Sequence, residues 1–212
     1  MPPLRFRVLI PRASRSRYAV VLALVALLAA TVFVAADGSL PFQLPDGRVL
    51  WFFGDTIVGR SQDGVAVDPF LFMARNSMVV QEGPCFTPRL EVLPNQPDGE
   101  WLWPVDFFLE GGWLRIVVMH MKPAPGPPGF EFEFVRVEEA TFSLSDLQFQ
   151  ALHQFPIATT PGDPSYGENI TVDATSGYVY AYGRKRVSTL QDHHYVARVQ
   201  LNQFGTRRCG DS

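Results

Sequence analysis

The sequence predicts an all-β protein of the β-propeller type, preceded by an N-terminal apolar helix. Past Asp37, no stretch shows the apolar spacing of an amphipathic helix. Eighteen Pro and seventeen Gly interrupt short runs rich in Val, Phe, Tyr, Trp and Ile, a pattern typical of strands and turns. Similar strand–turn–strand segments also recur at a fixed interval, as propeller blades do.

The first 36 residues differ from the rest of the chain in charge and hydropathy. Residues 1–18 contain five Arg and no acidic residue, and residues 19–36 contain no charged residue. This apolar length lies between that of a signal-peptide core and that of a membrane-spanning helix. We expect residues 1–36 to be a signal peptide or a signal anchor, cleaved or not, with the body exported. The alternative is that the apolar run is a buried helix of the fold.

Three segments of the body share one pattern: an acidic or polar start, a short strand, a turn containing Gly, and a second strand. Their turns follow one another at intervals of 65 residues: Asp46-Gly47, Gly111-Gly112 and Ser176-Gly177. Gly supplies the positive φ that a tight hairpin requires. The strands predicted after the turns are Val49–Phe53, Trp113–Met119 and Tyr178–Tyr182, followed by Phe70–Val80, Glu131–Leu144 and His194–Leu201. We expect units near 37–100, 101–160 and 161–204, and a two-sheet sandwich is the alternative.

The number of units conflicts with a closed ring. A propeller has at least four blades, which at this period would take roughly 260 residues. Only 176 residues follow Ala36. Three units would leave apolar faces and strand edges open. We therefore expect residues 37–212 to be a partial propeller: the N-terminal part of a longer one, a truncated product, or half of an assembly.

Charge and motifs exclude several classes of function. From Asp37 onward there are 13 basic and 21 acidic residues, so no basic field indicates a nucleic-acid partner. Cys85 and Cys209 have no zinc-site spacing, although they could pair in an exported protein. His193 and His194 are adjacent and would point to opposite faces of a strand. We expect no cofactor and no metal, and membrane contact only through the N-terminal segment.

One run of residues resembles a known family. The run LPDGRVLWFFGDTIVG at 44–59, with Asp37-Gly38 eighteen residues before Asp55, resembles the opening of a group of secreted actinobacterial propellers. Further matching motifs are RNS at 75–77, WPVD at 103–106, YG at 166–167, YVYAYG at 178–183 and YVAR at 195–198. This family was long called a domain of unknown function, and some members are endo-D-arabinanases. The resemblance implies a five-bladed ring, with about three blades present here, that cuts arabinofuranose polymers of the cell envelope. Because family members usually have more chain before the first Asp, the resemblance also implies an alternative in which part of TVFVAADGS is the first strand.

Four acidic residues are candidates for catalysis. Glycoside hydrolysis requires one carboxyl that protonates the leaving oxygen and a second that attacks or activates water. Asp37, Asp106 and Glu168 begin the three units, where inner strands would point them into a central channel. Asp55 lies in the Gly-Asp-Thr turn after the strand Val49–Phe53. The resemblance makes Asp37 and Asp55 the leading pair, and the alternative for each of the four is a turn or solvated role.

Five further residues are candidates for binding a polysaccharide. Trp101, Trp103 and Tyr166 lie in stretches that look like loops, where aromatic rings could stack on the apolar faces of sugars. Arg75 and Asn76 could bind hydroxyl groups. The alternatives are core packing for the rings and strand-edge hydrogen bonds for Arg75 and Asn76. The chain is therefore interpreted as an exported glycoside hydrolase, with a non-catalytic or truncated propeller that binds a glycan or a partner as the alternative.

Overall fold

The structure is a computed structural model that describes residues 32–62, 65–157, 164–188 and 190–205. In these ranges the chain is built of β-strands and two short 3-10 helices, Pro97–Gly99 and Leu201–Gln203, which confirms the all-β prediction. Most of the apolar segment lies outside the described residues. Its last five residues form a strand, Val32–Ala36, so the predicted apolar helix does not extend to Ala36. Among the described residues, no helix has the length and apolar character needed to cross a membrane.

The described strands form four antiparallel sheets. Sheet I contains, in order, β2 (Leu40–Gln43), β3 (Val49–Phe53), β6 (Ser77–Glu82) and β7 (Cys85–Leu90). A side sheet contains β1 (Val32–Ala36), β4 (Thr56–Gln62) and β5 (Val65–Ala74). Sheet II contains β11 (Phe149–Gln154), β10 (Phe132–Ser143), β9 (Trp113–Pro123) and β8 (Trp101–Glu110). Sheet III contains β12 (Ser165–Asp173), β13 (Tyr178–Ser188) and β14 (Gln191–Gln200).

Each predicted glycine turn joins the first two strands of a sheet. Gly47 lies between β2 and β3 with a φ of 91°, and Gly112 lies between β8 and β9 with a φ of 83°. Gly177, with a φ of 71°, joins β12 to β13. Such angles favour glycine, because a Cβ would clash with the backbone. The regular spacing of the hairpins is therefore confirmed.

Sheet II packs on a neighbour through both of its faces. Side chains alternate across β9, so Leu114 and Ile116 face sheet I while Val117 faces sheet III. The first core includes Phe52 of sheet I, and the second includes Val179 of sheet III. Among the described residues, the opposite face of sheet I is open and carries an apolar groove of about 510 Å³, which is also lined by Phe33 of β1.

The described chain ends on sheet II, against a buried ion pair. Arg115 is 6% exposed and donates to Glu139 at 2.8 Å and to Thr141 at 2.7 Å. The amide of Gly205 donates to the second Glu139 oxygen at 3.1 Å. Burial raises the pKa of Glu139, and the charge of Arg115 opposes that shift. Phe204, the preceding residue, lies in the second core. These contacts hold the segment after β14 on sheet II.

One predicted strand is divided in two. The sequence predicts a continuous strand over Phe70–Val80, but β5 ends at Ala74 and β6 begins at Ser77. The chain changes sheet at this point, since β5 pairs with β4 and β6 pairs with β3. The break places Arg75 and Asn76 at the junction between the side sheet and sheet I.

Candidate functional site

Asp37 and Asp55 are brought together by backbone pairing at the junction of β1 and β4. Ala36 pairs with Thr56 in the register of the two strands. The Asp37 amide donates to the Asp55 carbonyl at 3.1 Å, and the Gly54 amide donates to the Asp37 carbonyl at 3.0 Å. The two acidic residues, eighteen apart in sequence, are therefore neighbours in the fold.

The Asp37 carboxyl group lies directly over Gly54. A Cβ added at Gly54 would stand 2.6 Å from Oδ1 of Asp37 and 3.5 Å from Cδ1 of Trp103. No side chain fits there without moving the carboxyl group. The glycine of the Gly-Asp-Thr turn thus provides the space that Asp37 occupies.

Thr56 fixes the turn that presents Asp55. Its buried hydroxyl group donates to the Gly54 carbonyl at 3.0 Å and shares a hydrogen bond with the Ser77 hydroxyl at 2.7 Å. These bonds tie the turn to the start of β6. The Asp55 side chain, which is 21% exposed, takes no part in these bonds and contacts other residues.

The partners of Asp55 come from two different sheets. Trp103, on β8 of sheet II, donates its indole N–H to Oδ1 at 3.0 Å. Arg75 lies 3.3 Å from Oδ2 and forms a half-exposed ion pair. The Arg75 guanidinium in turn lies 4.1 Å from the ring centroid of Trp101, a cation–π contact. Two donors and an aromatic support therefore hold the orientation of the Asp55 carboxylate.

Asp37 has a different electrostatic environment. Partial desolvation raises the pKa of Asp37, and the nearby charge of Asp55 raises it further, against two weaker backbone hydrogen bonds. A carboxyl group with a raised pKa retains its proton at higher pH, as a general acid must. The two acidic residues thus differ in surroundings although they are neighbours at the junction of β1 and β4.

Two predicted binding residues are buried instead. Asn76 is 1% exposed, and its amide nitrogen donates to the carbonyls of Leu93 and Leu102 at 3.3 Å each. Its oxygen accepts from the Leu93 amide at 2.9 Å, so the side chain links the loop before β8 to sheet I. Trp101 is 3% exposed and lies behind Arg75 and Trp103. Both side chains are therefore buried in this structure, and a role for either in binding a glycan stays a prediction.

Of the remaining candidates, Asp106 and Tyr166 lie at the contact between sheets II and III. The Asp106 carboxylate accepts a hydrogen bond from the Phe107 amide at 2.8 Å and one from the Ile170 amide on β12 at 2.5 Å. Burial raises the pKa of Asp106, against these two hydrogen bonds. Glu168 lies in β12 at an irregularity in its pairing with β13, and its side chain is outside the description. Tyr166 packs against the second core. The structure therefore gives Asp106 a linking role.

Sequence reasoning missed an aromatic neighbour of the site. Phe132, at the start of β10, lies with its ring centroid 5.0 Å from that of Trp103 and 6.1 Å from that of Trp101. Phe130 precedes it in the loop between β9 and β10 and is 65% exposed. The available signal in the sequence was an aromatic residue at the end of a run rich in Pro and Gly, but nothing in that run shows that its ring is exposed.

Metal and disulfide candidates add little to the site. Within the described ranges, no three His, Cys, Asp or Glu residues are grouped to hold a metal ion. Cys85 is exposed on β7. Cys209 lies outside the described residues, so its pairing with Cys85 stays a prediction.

A family model called "Domain of unknown function (DUF5005)" matches residues 28–207. The chain belongs to the DUF5005 family. The match begins within the apolar segment and includes β1. The β1–β4 pairing that brings Asp37 next to Asp55 therefore lies inside the DUF5005 domain. A comparison with curated proteins finds no match.

A solved structure shares the fold of this DUF5005 domain. It is the crystal structure of a protein from Bacteroides ovatus that is described as a putative hydrolase. The TM-score is 0.63 at 18% sequence identity, and the match covers 87% of this chain and 53% of the other. The DUF5005 chain thus spans about half the length of that neighbour.

Proposed function

We propose that this protein is an exported glycoside hydrolase that cuts arabinofuranose polymers internally, with Asp37 and Asp55 as its catalytic pair. The observation that carries the proposal is the pairing of these two carboxyl groups in contrasting environments. Asp37 lies over Gly54 with a raised pKa, and Asp55 faces Arg75 and Trp103. Glycoside hydrolysis needs one acid and one base or nucleophile at the same bond.

The two environments suggest a role for each residue. Asp37 gives its proton to the leaving oxygen as the glycosidic bond breaks. Asp55, held by Arg75 and Trp103, either attacks the anomeric carbon or takes a proton from the attacking water. Trp103 and Arg75 keep the Asp55 carboxylate in one orientation, because Trp103 donates to Oδ1 and Arg75 donates to both oxygens. Positioning of this kind lowers the entropic part of the barrier.

We also propose that sheets I, II and III are consecutive blades of a propeller. Three features support this: each sheet begins with a glycine hairpin, successive sheets stack face to face, and β8 contacts both β2 and β12. In such an arrangement the first strands of neighbouring blades line a common channel. The Asp37–Asp55 pair and Trp103 then come from adjacent blades. The description of the Bacteroides ovatus neighbour as a putative hydrolase supports the proposed hydrolase activity.

A non-catalytic glycan-binding module is the second candidate. It is favoured by the aromatic rings beside the carboxyl pair, Trp103 and Phe132, because stacking of a sugar on such rings requires no bond cleavage. It predicts sugar binding without bond cleavage. The two candidates therefore differ in turnover and not in affinity.

The test compares the full chain with Asp37→Asn and Asp55→Asn. Hydrolysis of a soluble D-arabinofuranose polymer is followed by release of reducing ends, and affinity by calorimetry. We expect each variant to lose about 10²–10⁴-fold in rate while the melting temperature and affinity stay near those of the parent. Asp46→Asn is the matched control, since Asp46 is an exposed turn residue paired with Arg48.

Two results would contradict the proposal. If Asp55→Asn lowers the melting temperature and activity falls only with the folded fraction, the residue is structural. If the parent binds the polymer without cleaving it, the chain is a binding module.

A further inference from the structure

A series of aromatic contacts leads away from the Asp55 carboxylate. Asp55 accepts from Trp103 at 3.0 Å, and the Trp103 and Phe132 ring centroids are 5.0 Å apart in edge-to-face geometry. Phe132 and Phe130 follow at 6.1 Å. Phe130 ends the series and is 65% exposed. An exposed phenyl ring is therefore placed two ring contacts from the candidate catalytic pair.

The loop that carries Phe130 is held in one shape. The Phe130 amide donates to the Pro127 carbonyl at 2.8 Å, and the Gly129 amide donates to the Glu131 carboxylate at 2.8 Å. A Cβ at Gly126 would lie 2.1 Å from the Phe130 carbonyl oxygen, so the two ends of the loop can approach each other only because residue 126 is glycine. Four prolines between 123 and 128 restrict the chain further. Ordering this loop on binding therefore costs little entropy.

We propose that Phe130 is a stacking platform for a sugar ring remote from the scissile bond, with Phe132 supporting it. This proposal rests on the proposed hydrolase function and assigns part of its substrate site. The C–H face of a furanose ring is apolar and packs on an aromatic face, while its hydroxyl groups stay in water. Because two rings separate Phe130 from Asp55, the bound sugar is not the one that is cleaved. A platform at that distance serves a chain that passes through the site, as internal cleavage requires.

The proposal predicts an effect that depends on substrate length. Arabinofuranose oligomers of increasing length are assayed with the full chain and with Phe130→Ala. We expect equal kcat/KM for the shortest cleaved oligomer and a loss of about tenfold for oligomers long enough to reach Phe130. With long oligomers the loss should lie in KM, while kcat stays unchanged, because the platform does not touch the reacting atoms.

Two variants complete the experiment. Phe130→Tyr keeps the aromatic face and should restore the parent KM. Phe86→Ala is the matched control, since Phe86 is 59% exposed on β7, on the open face of sheet I, and should change nothing. Melting temperatures of all variants should match the parent, because both phenyl rings are largely in solvent. An equal loss at every length, or no loss at any length, would overturn the platform.

Binding measurements separate this proposal from the proposed function. Calorimetry with Asp55→Asn, alone and combined with Phe130→Ala, uses the same oligomers. If the parent does not hydrolyse them but Phe130→Ala still weakens binding of the longer ones, the platform stands and the hydrolase proposal fails. If hydrolysis is present but binding is independent of Phe130, only the platform fails. A chain that neither binds nor cleaves the oligomers overturns both.

Discussion

Replacing Gly54 with Ala should reduce activity without unfolding the protein. The new methyl group would lie 2.6 Å from Oδ1 of Asp37, whereas ordinary contact begins at 3.4 Å, so the carboxyl group must retreat by about 0.8 Å. The atom that moves is the end of a side chain, and the backbone can stay in place. A displacement near 1 Å at a reacting group costs about 10²-fold in rate. We expect Gly54→Ala to lose activity by about that factor.

The assay compares kcat/KM on the arabinofuranose polymer with the melting temperature. Gly47→Ala is the matched control, because Gly47 has a φ of 91° and nothing within 4 Å of its added Cβ. That variant should lose stability, by roughly 1 kcal/mol, and retain activity. The two variants thus separate displacement of Asp37 from backbone strain. Full activity in a folded Gly54→Ala protein would refute the assignment of Asp37 as a reacting group.

Three more predictions concern buried or interacting charges. Asp55→Asn should lower the pKa of Asp37, measured by carbon NMR of its carboxyl group, because one of the two causes of the raised pKa is removed. Asp106→Asn should destabilise the fold by about 1–3 kcal/mol in urea unfolding, since an amide can accept only one of the two backbone N–H bonds. Arg115→Met should cost about 3–5 kcal/mol, because Glu139 would be left buried without its cation.

The predictions for Asp37 and Arg115 can each be contradicted by a further measurement. A raised pKa means that folding favours protonated Asp37, so its contribution to stability is present at low pH and is lost as pH rises through the folded pKa. That loss should shrink in Asp55→Asn. For Arg115→Met the control is Lys122→Met, whose partner Glu133 is exposed, and the urea midpoint should stay near the parent value. Equal effects of the two substitutions would contradict the argument from burial.

The hairpins were predictable from sequence because their cause is local. A glycine with positive φ between two apolar strands is visible in a few residues, and Gly47, Gly112 and Gly177 all lie where the sequence places them. The division of Phe70–Val80 was not predictable in this way. It depends on which strands β5 and β6 pair with, and partners distant in sequence leave no local pattern.

The candidate site was predictable in part for the same reason. The family resemblance singled out Asp37 and Asp55 as a pair, but the β1–β4 pairing that makes them neighbours depends on strand register and on residues that were expected to be helical. Asn76 resembles any polar residue near a strand end. Asn76 is buried because the loop that contains Leu93 packs over it. This contact joins segments distant in sequence, so no local pattern indicates it. Phe130 was missed because a Pro- and Gly-rich loop indicates a turn and hides the position of its one exposed ring.

The Gly205 contact with Glu139 has a consequence for the order of folding during synthesis. A ribosome delivers sheet II well before residue 205, and until then the Arg115–Glu139 pair lacks the amide that completes it. The first core, between sheets I and II, can consolidate early because all its buried members precede residue 150. The second core has to wait for Phe204. The nascent chain therefore passes through a stage in which one face of sheet II is packed and the other is exposed, the kind of intermediate that chaperones recognise.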